Sequence, residues 1–287
     1  MPYWKNLKSL SPTTLCEARA LCHNAVQFVT RAARANLPER ADDSHSSMGW
    51  DPQNRALVSH EIPRALTTVK VGLRLDTLTL LLLQGEDVLE AHPLDGQNRQ
   101  EIQTWLDERL NALCLRECAD VELPYAGITE HDVSRGGAFS TASNAPALTA
   151  LSAWFQLADA LLRQLRESML PVYPDTSDVR CWPHHFDIAT LISLPAVPQM
   201  DARTIGVGLS PGDTTYPQPY FYVTPWPYPA IPPKEPLPMG HWRTEGFTAA
   251  IATGEDVLSA PGGEATLRQF LARSVESCHQ LLTEVHA

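Results

Sequence analysis

The chain has 287 residues, 44% hydrophobic and 19% charged, with a formal net charge of −11. That length exceeds one typical domain, so one large or two smaller cores are expected, and the acidic balance disfavours nucleic-acid phosphates as partners. The longest apolar run, Leu78–Leu83, is too short to span a bilayer, and Met1–Lys5 lacks the apolar core of a secretory signal.

A soluble, cytoplasmic protein of bacterial type, with no membrane partner, is therefore expected. Six cysteines without a C-x-x-C pair read as buried free thiols of a reducing compartment.

In chain order, Ser11-Pro12 and Thr14-x-x-Glu17 are both helix-start signals. Leu15, Ala18, Cys22, Ala25, Val29 and Ala32 then repeat at steps of three and four, a stripe of mostly small residues that lets a helix approach its partner closely. After the turn cluster Pro52-Gln53-Asn54, strands are expected over 55–62, 67–75 and 78–84. Gly85-Glu86-Asp87 reads as a tight turn, and Ile102, Trp105, Leu106, Leu110 and Leu113 predict a helix over 97–113.

Periodicity is lost from Arg116 to Pro146, which sets expected boundaries of 1–115 for an N-terminal half, 116–145 for a linker and 146–287 for a C-terminal half. A helix over 146–169 follows. Residues 171–238 hold fifteen of the 24 prolines, so strands there must be short, bulged or at edges. Strands are expected near 186–194, 203–209, 219–224 and 246–252, and a closing amphipathic helix over 264–284.

Both halves read helix, several strands, helix, and in each the last expected strand runs into Gly-Glu-Asp-Val-Leu, at 85–89 and at 254–258. The expectation is an α+β fold of two related halves produced by internal duplication, each an antiparallel sheet with flanking helices. The halves differ at Met48-Gly49-Trp50-Asp51 against His184-His185-Phe186-Asp187, which puts the candidate site in the second half.

The chemistry-bearing stretch is Cys181-Trp182-Pro183-His184-His185-Phe186-Asp187-Ile188. If 181–192 runs as one strand, His185 and Asp187 share a face, while Trp182, His184, Phe186 and Ile188 share the other. An imidazole and a carboxylate side by side suit a metal or a proton transfer; the plainer reading is an Asp that orients a neighbouring His. Tyr216, Tyr220, Tyr222, Trp226, Tyr228 and Trp242 form the densest aromatic cluster. Within it Phe221 and Val223 should face the core, and Tyr220 and Tyr222 the opposite side. Cys114-x-x-x-Cys118 with His131 falls short of a zinc site and reads as two buried cysteines. No G-x-S-x-G, P-loop or G-x-G-x-x-G motif occurs.

Trp182–Asp187 resembles the signature of a bacterial family catalogued as a domain of unknown function. The resemblance extends in order through Gly208-Leu209-Ser210-Pro211-Gly212-Asp213, Pro219–Val223 with Pro225-Trp226-Pro227, and His241–Gly246. It covers roughly 178–250. It implies that these segments belong to one site or one structural core, and implies no reaction.

Three functions remain open from the residues. One is a small-molecule enzyme with His185, Asp187 and Glu245 as catalytic groups, dependent on zinc, iron or manganese held by His185, Asp187 and His241. Its substrate would lie against Tyr220, Tyr222, Trp242 and Asp213, with Asp187 and Glu245 in one pocket. The second is a non-catalytic small-molecule-binding protein using the same aromatic wall. The third is a purely architectural polar network.

Overall fold

Helices form where apolar residues recur every three to four positions. The computed structural model describes residues 2–196, 198, 201–229, 233 and 235–284. They divide into two compact units: one is built from Thr14–Gln156 with stretches 2–10 and Arg180–Phe186, the other from Leu157–Val179 and Asp187 onward with Ser11–Thr13. All strand pairing in the two sheets is antiparallel, so the α+β architecture holds.

The first unit contains α1 (Pro2–Leu7), α2 (Cys16–Asn36), β1 (Gly49–Asp51), β2 (Ala56–Val58), β3 (Ile62–Arg64), β4 (Thr67–Arg74), β5 (Thr79–Gln84), β6 (Asp87–Pro93) and α3 (Arg99–Ala112), then α4 (Ala145–Met169) as far as Gln156, and β7 (Arg180–Trp182). Its sheet runs β1-β2-β4-β5-β6, with β3 paired to β4 off that path. α2 packs on β4 through its small-residue stripe; Ala18, Cys22, Ala25, Val29 and Ala32 are all fully buried. Met48 forms a β-bridge with Cys181.

The second unit holds the rest of α4, then β8 (Asp187–Ser193), β9 (Thr204–Ser210), β10 (Tyr220–Trp226), β11 (His241–Arg243), β12 (Ala249–Thr253), α5 (Gly254–Ser259) and α6 (Glu264–Glu284). Within this unit the strand order is β11-β12-β10-β9-β8. α6 lies on β10 and β9 and buries Leu267, Phe270, Leu271, Val275 and Cys278. Each large apolar side chain removed from water there contributes about 1.5–3 kcal/mol. As expected, Phe221 and Val223 are fully buried.

Four expectations need correction. Residues 181–192 are not one strand: β7 stops at Trp182, and Pro183–Phe186 form a turn closed by Phe186 N–H donating to the Trp182 carbonyl at 2.7 Å. Phe186 sits in that turn at φ 56°, so neither proposed face exists. β6 was unforeseen because nearly every residue in it is exposed and no alternation marks it. β11 is short and lies at an edge. The two Gly-Glu-Asp-Val-Leu copies also differ. Gly85, at φ +62°, opens a two-residue hairpin loop between Gln84 and Asp87, whereas Gly254 begins α5 behind Thr253, whose hydroxyl accepts from Asp256 N–H in a capping box.

Among the cysteines, 22, 118, 181 and 278 are buried, Cys16 is half-buried and Cys114 is exposed. One helix, residues 142–169, is apolar and long enough by composition to cross a membrane, and 72% of its most apolar window is buried within the protein.

The first unit also buries a polar seam on α2. His23 Nε2–H donates to the Pro183 carbonyl at 3.0 Å, and Nδ1 accepts from Thr129 N–H at 3.3 Å, which fixes the neutral tautomer. Gln27 Nε2 donates to the same carbonyl, and the Tyr125 hydroxyl donates to Gln27 Oε1. The His23 ring stacks on Phe186 at 5.4 Å, and Phe155 lies on Phe186 at 5.1 Å. The two histidines of the motif stand beside each other, their ring centroids 4.3 Å apart, with His184 near Tyr125.

Burial pushes the His23 imidazole down from 6.5 to about 4. Between those values the unfolded chain binds a proton that the folded chain refuses, so stability falls as pH falls through the window, by up to about 3 kcal/mol. Denaturant unfolding at pH 7 and pH 4.5 checks this. The wild type is expected to lose more stability on acidification than His23→Gln, and equal losses would refute the assignment.

Candidate functional site

Strand register decides what shares the face of the second sheet turned away from α6. Tyr222 pairs with Gly208 on one side and Ile251 on the other; Gly208 pairs with Ala189, and Ile251 with His241. Paired residues lie on one face and alternate residues return to it. Asp187, Gly208, Ser210, Tyr220, Tyr222, His241 and Arg243 are therefore all on this face.

The central contact spans three strands. The Tyr222 ring lies across β9 and its hydroxyl donates to Asp187 Oδ2 on β8 at 2.5 Å. This passage requires glycine at 208: a Cβ there would stand 2.6 Å from the Tyr222 hydroxyl and 2.7 Å from Cζ. A phenol-to-carboxylate bond of this kind contributes about 1.5–3 kcal/mol.

The turn at Ser210–Asp213 builds the next part. Asp213 Oδ1 accepts from the backbone N–H groups of Thr215 and Tyr216 at 2.6 and 2.8 Å, and Oδ2 accepts from the Tyr220 hydroxyl at 2.6 Å. Asp213 thus holds the loop and orients Tyr220. Burial, then the bond to Asp213, pushes the Tyr220 phenol upward, so it stays a protonated donor at neutral pH.

The loop brings Tyr216 back over the sheet, 5.0 Å from Tyr220, with its hydroxyl 3.1 Å from His241 Nε2. The Arg243 guanidinium lies 4.8 Å from the Phe247 ring and 5.8 Å from that of Tyr216. Gly240, at φ +69°, admits the chain to β11; any side chain there would run into the Ile251 carbonyl.

Of the expected site residues, Asp187, Asp213, Tyr220, Tyr222 and His241 come to this face. His185 lies exposed in the Pro183–Phe186 turn. Trp242 alternates to the opposite side of β11, where its indole N–H donates to the Glu235 carbonyl at 3.1 Å. Glu245 is exposed in the bend after β11.

Four strand steps separate β8 from β11, or about 19 Å at ~4.8 Å per step. Asp187 and His241 therefore cannot share a metal ion, and Asp187 and Glu245 do not share a pocket. Among the described residues no three His, Cys, Asp or Glu side chains are grouped so as to hold a metal. The expected zinc, iron or manganese set of His185, Asp187 and His241 is not assembled.

Sequence reasoning missed Gly208, Arg243 and Phe247. The Gly206-x-Gly208 spacing in a strand and the His241-x-Arg243 alternation were the signals available. No protein-family description, curated protein or solved structure matches this chain.

Gly208→Ala is expected to displace Tyr222 and destabilise the protein by about 1–3 kcal/mol. The penalty should shrink in a Tyr222→Leu background, measured as a coupling energy in a double-mutant cycle. Additive effects would mean that the ring does not depend on Gly208.

Proposed function

We propose that the second unit is a non-catalytic binding module for a small aromatic molecule, which lies against Tyr216, Tyr220 and Tyr222 on the open sheet face. The observation that carries this reading is the state of the two carboxylates. Asp187 accepts from one tyrosine, and Asp213 from another tyrosine and two backbone amides. A general acid or base must exchange protons with a substrate; here these oxygens serve to set phenol rings at fixed angles. Such a wall, with a few convergent polar groups, is the ordinary makeup of a small-molecule site. All four ordered segments of the family-like signature contribute to this face: Asp187 from the first, Ser210 and Asp213 from the second, Tyr220 and Tyr222 from the third, His241 and Arg243 from the fourth.

The same reading includes duplication of an older single unit. Its support is element order: α2-β1-β2-β4-β5-β6-α3 is followed by α4-β7-β8-β9-β10-β12-α6, with β3, β11 and α5 as additions. Pro52–Arg55 and Pro183–Phe186 are four-residue turns at the same place in that order. Each starts with proline and ends in the left-handed region, Arg55 at φ 50° and Phe186 at φ 56°. The repeated pentapeptide gives no support, because Gly85 precedes β6 whereas Gly254 follows β12.

Ligand-observed NMR with benzyl alcohol and cyclohexanol tests the binding reading. Saturable binding of the aromatic alcohol is expected, lost in Tyr216→Ala and kept in Trp242→Ala, whose side chain lies on the other face. No binding, or equal binding in the Tyr216 variant, would sink the reading.

A further inference from the structure

Arg243 faces the same side as the tyrosine wall, and its surroundings differ from those of the other arginines. Eight of those are ion-paired with Asp or Glu, as the acidic composition favours. The Arg243 guanidinium has no ion pair and no hydrogen bond among the described residues. Its Nε is shielded from solvent without an acceptor. Buried donors are ordinarily satisfied, so this one points to an acceptor brought by a ligand.

The faces of the guanidinium plane lie toward Phe247 and Tyr216, at 4.8 and 5.8 Å, which leaves its edge as the binding element. The Nε–H and the adjoining Nη–H form a planar fork that matches two oxygens of a carboxylate or phosphate. The nearest neighbour along the face, His241, is exposed and adds a ring nitrogen 3.1 Å from the Tyr216 hydroxyl. Glu245, two residues on, forms no ion pair with Arg243 among the described residues.

We infer that the ligand of this face carries an oxyanion, a carboxylate or a phosphate on a planar ring, held by the edge of Arg243 while the ring lies against Tyr216. This rests on the binding reading above and adds to it the charge of the ligand.

Titrations of the whole protein with benzoate, phenyl phosphate and uncharged benzyl alcohol separate the two ideas. At least one anion is expected to bind roughly tenfold or more tighter than the alcohol, and which one does so distinguishes carboxylate from phosphate. Arg243→Gln should abolish that advantage while leaving the alcohol unaffected. Arg243→Lys, which keeps the charge but not the fork, should retain only part of it. If the alcohol binds as well as both anions, or if Arg243→Gln leaves anion binding unchanged, the inference is wrong while the binding reading stands. If no probe binds, both fall. Should Arg243→Gln unfold, Arg243→Lys decides the matter, and unchanged anion affinity in that variant would overturn the fork.

Discussion

The bond from Tyr222 to Asp187 depends on an empty position between them, and much of the second unit follows from it. A tyrosine on β10 reaches β8 only if the strand between carries no side chain at that level, and Gly208 supplies the gap. Glycine in a strand interior ordinarily weakens it. Here the weakness is offset by a ring laid flat over the backbone and a charged hydrogen bond at its end. The bond also ties register to chemistry: a one-residue slip of β9 would put Leu209 or Val207 beneath the ring and turn the core side chains outward. The same face therefore records both which strands are neighbours and where a ligand can lie.

Both carboxylates on this face point toward recognition. A carboxylate that accepts from a tyrosine fixes that ring's tilt, and two such pairs set Tyr220 and Tyr222 in relation to each other, 6.3 Å apart. Preorganised aromatic surfaces lower the ordering cost of binding. An enzyme working through the same oxygens would have to break those bonds in every turnover.

Sequence periodicity carried the long helices well, because a stripe of buried residues at three- and four-residue steps has no other common explanation; α6 coincides with its expected limits. Elements defined by pairing were harder. β6 is exposed along nearly its whole length, so its strand character comes from β5 beside it, and β11 is three residues whose place is set by Gly240 and β12. The candidate site was read correctly in its carboxylate and tyrosines and wrongly in its histidines. His184 and His185 sit in a four-residue turn ended by a left-handed Phe186, a conformation that aromatic residues adopt rarely and that alternation cannot reveal. Arg243 was overlooked because a lone arginine carries no motif. Its meaning appears only when Tyr216, 27 positions earlier, folds back beside it.

The pentapeptide Gly-Glu-Asp-Val-Leu, hairpin and strand in one place and helix in the other, shows where conformational information resides in this chain. Five identical residues carry no fixed shape, and the residue before them acts as the selector. Thr253 offers a hydroxyl to Asp256 N–H and receives a carboxylate in return, which starts a helical turn. Gln84 is already paired across to Asp87, which commits the glycine to a reversal. A grafted copy of the pentapeptide would thus take its form from the host, and a chimera exchanging only Gln84 and Thr253 would set the inherited pairing of each site against a new local instruction.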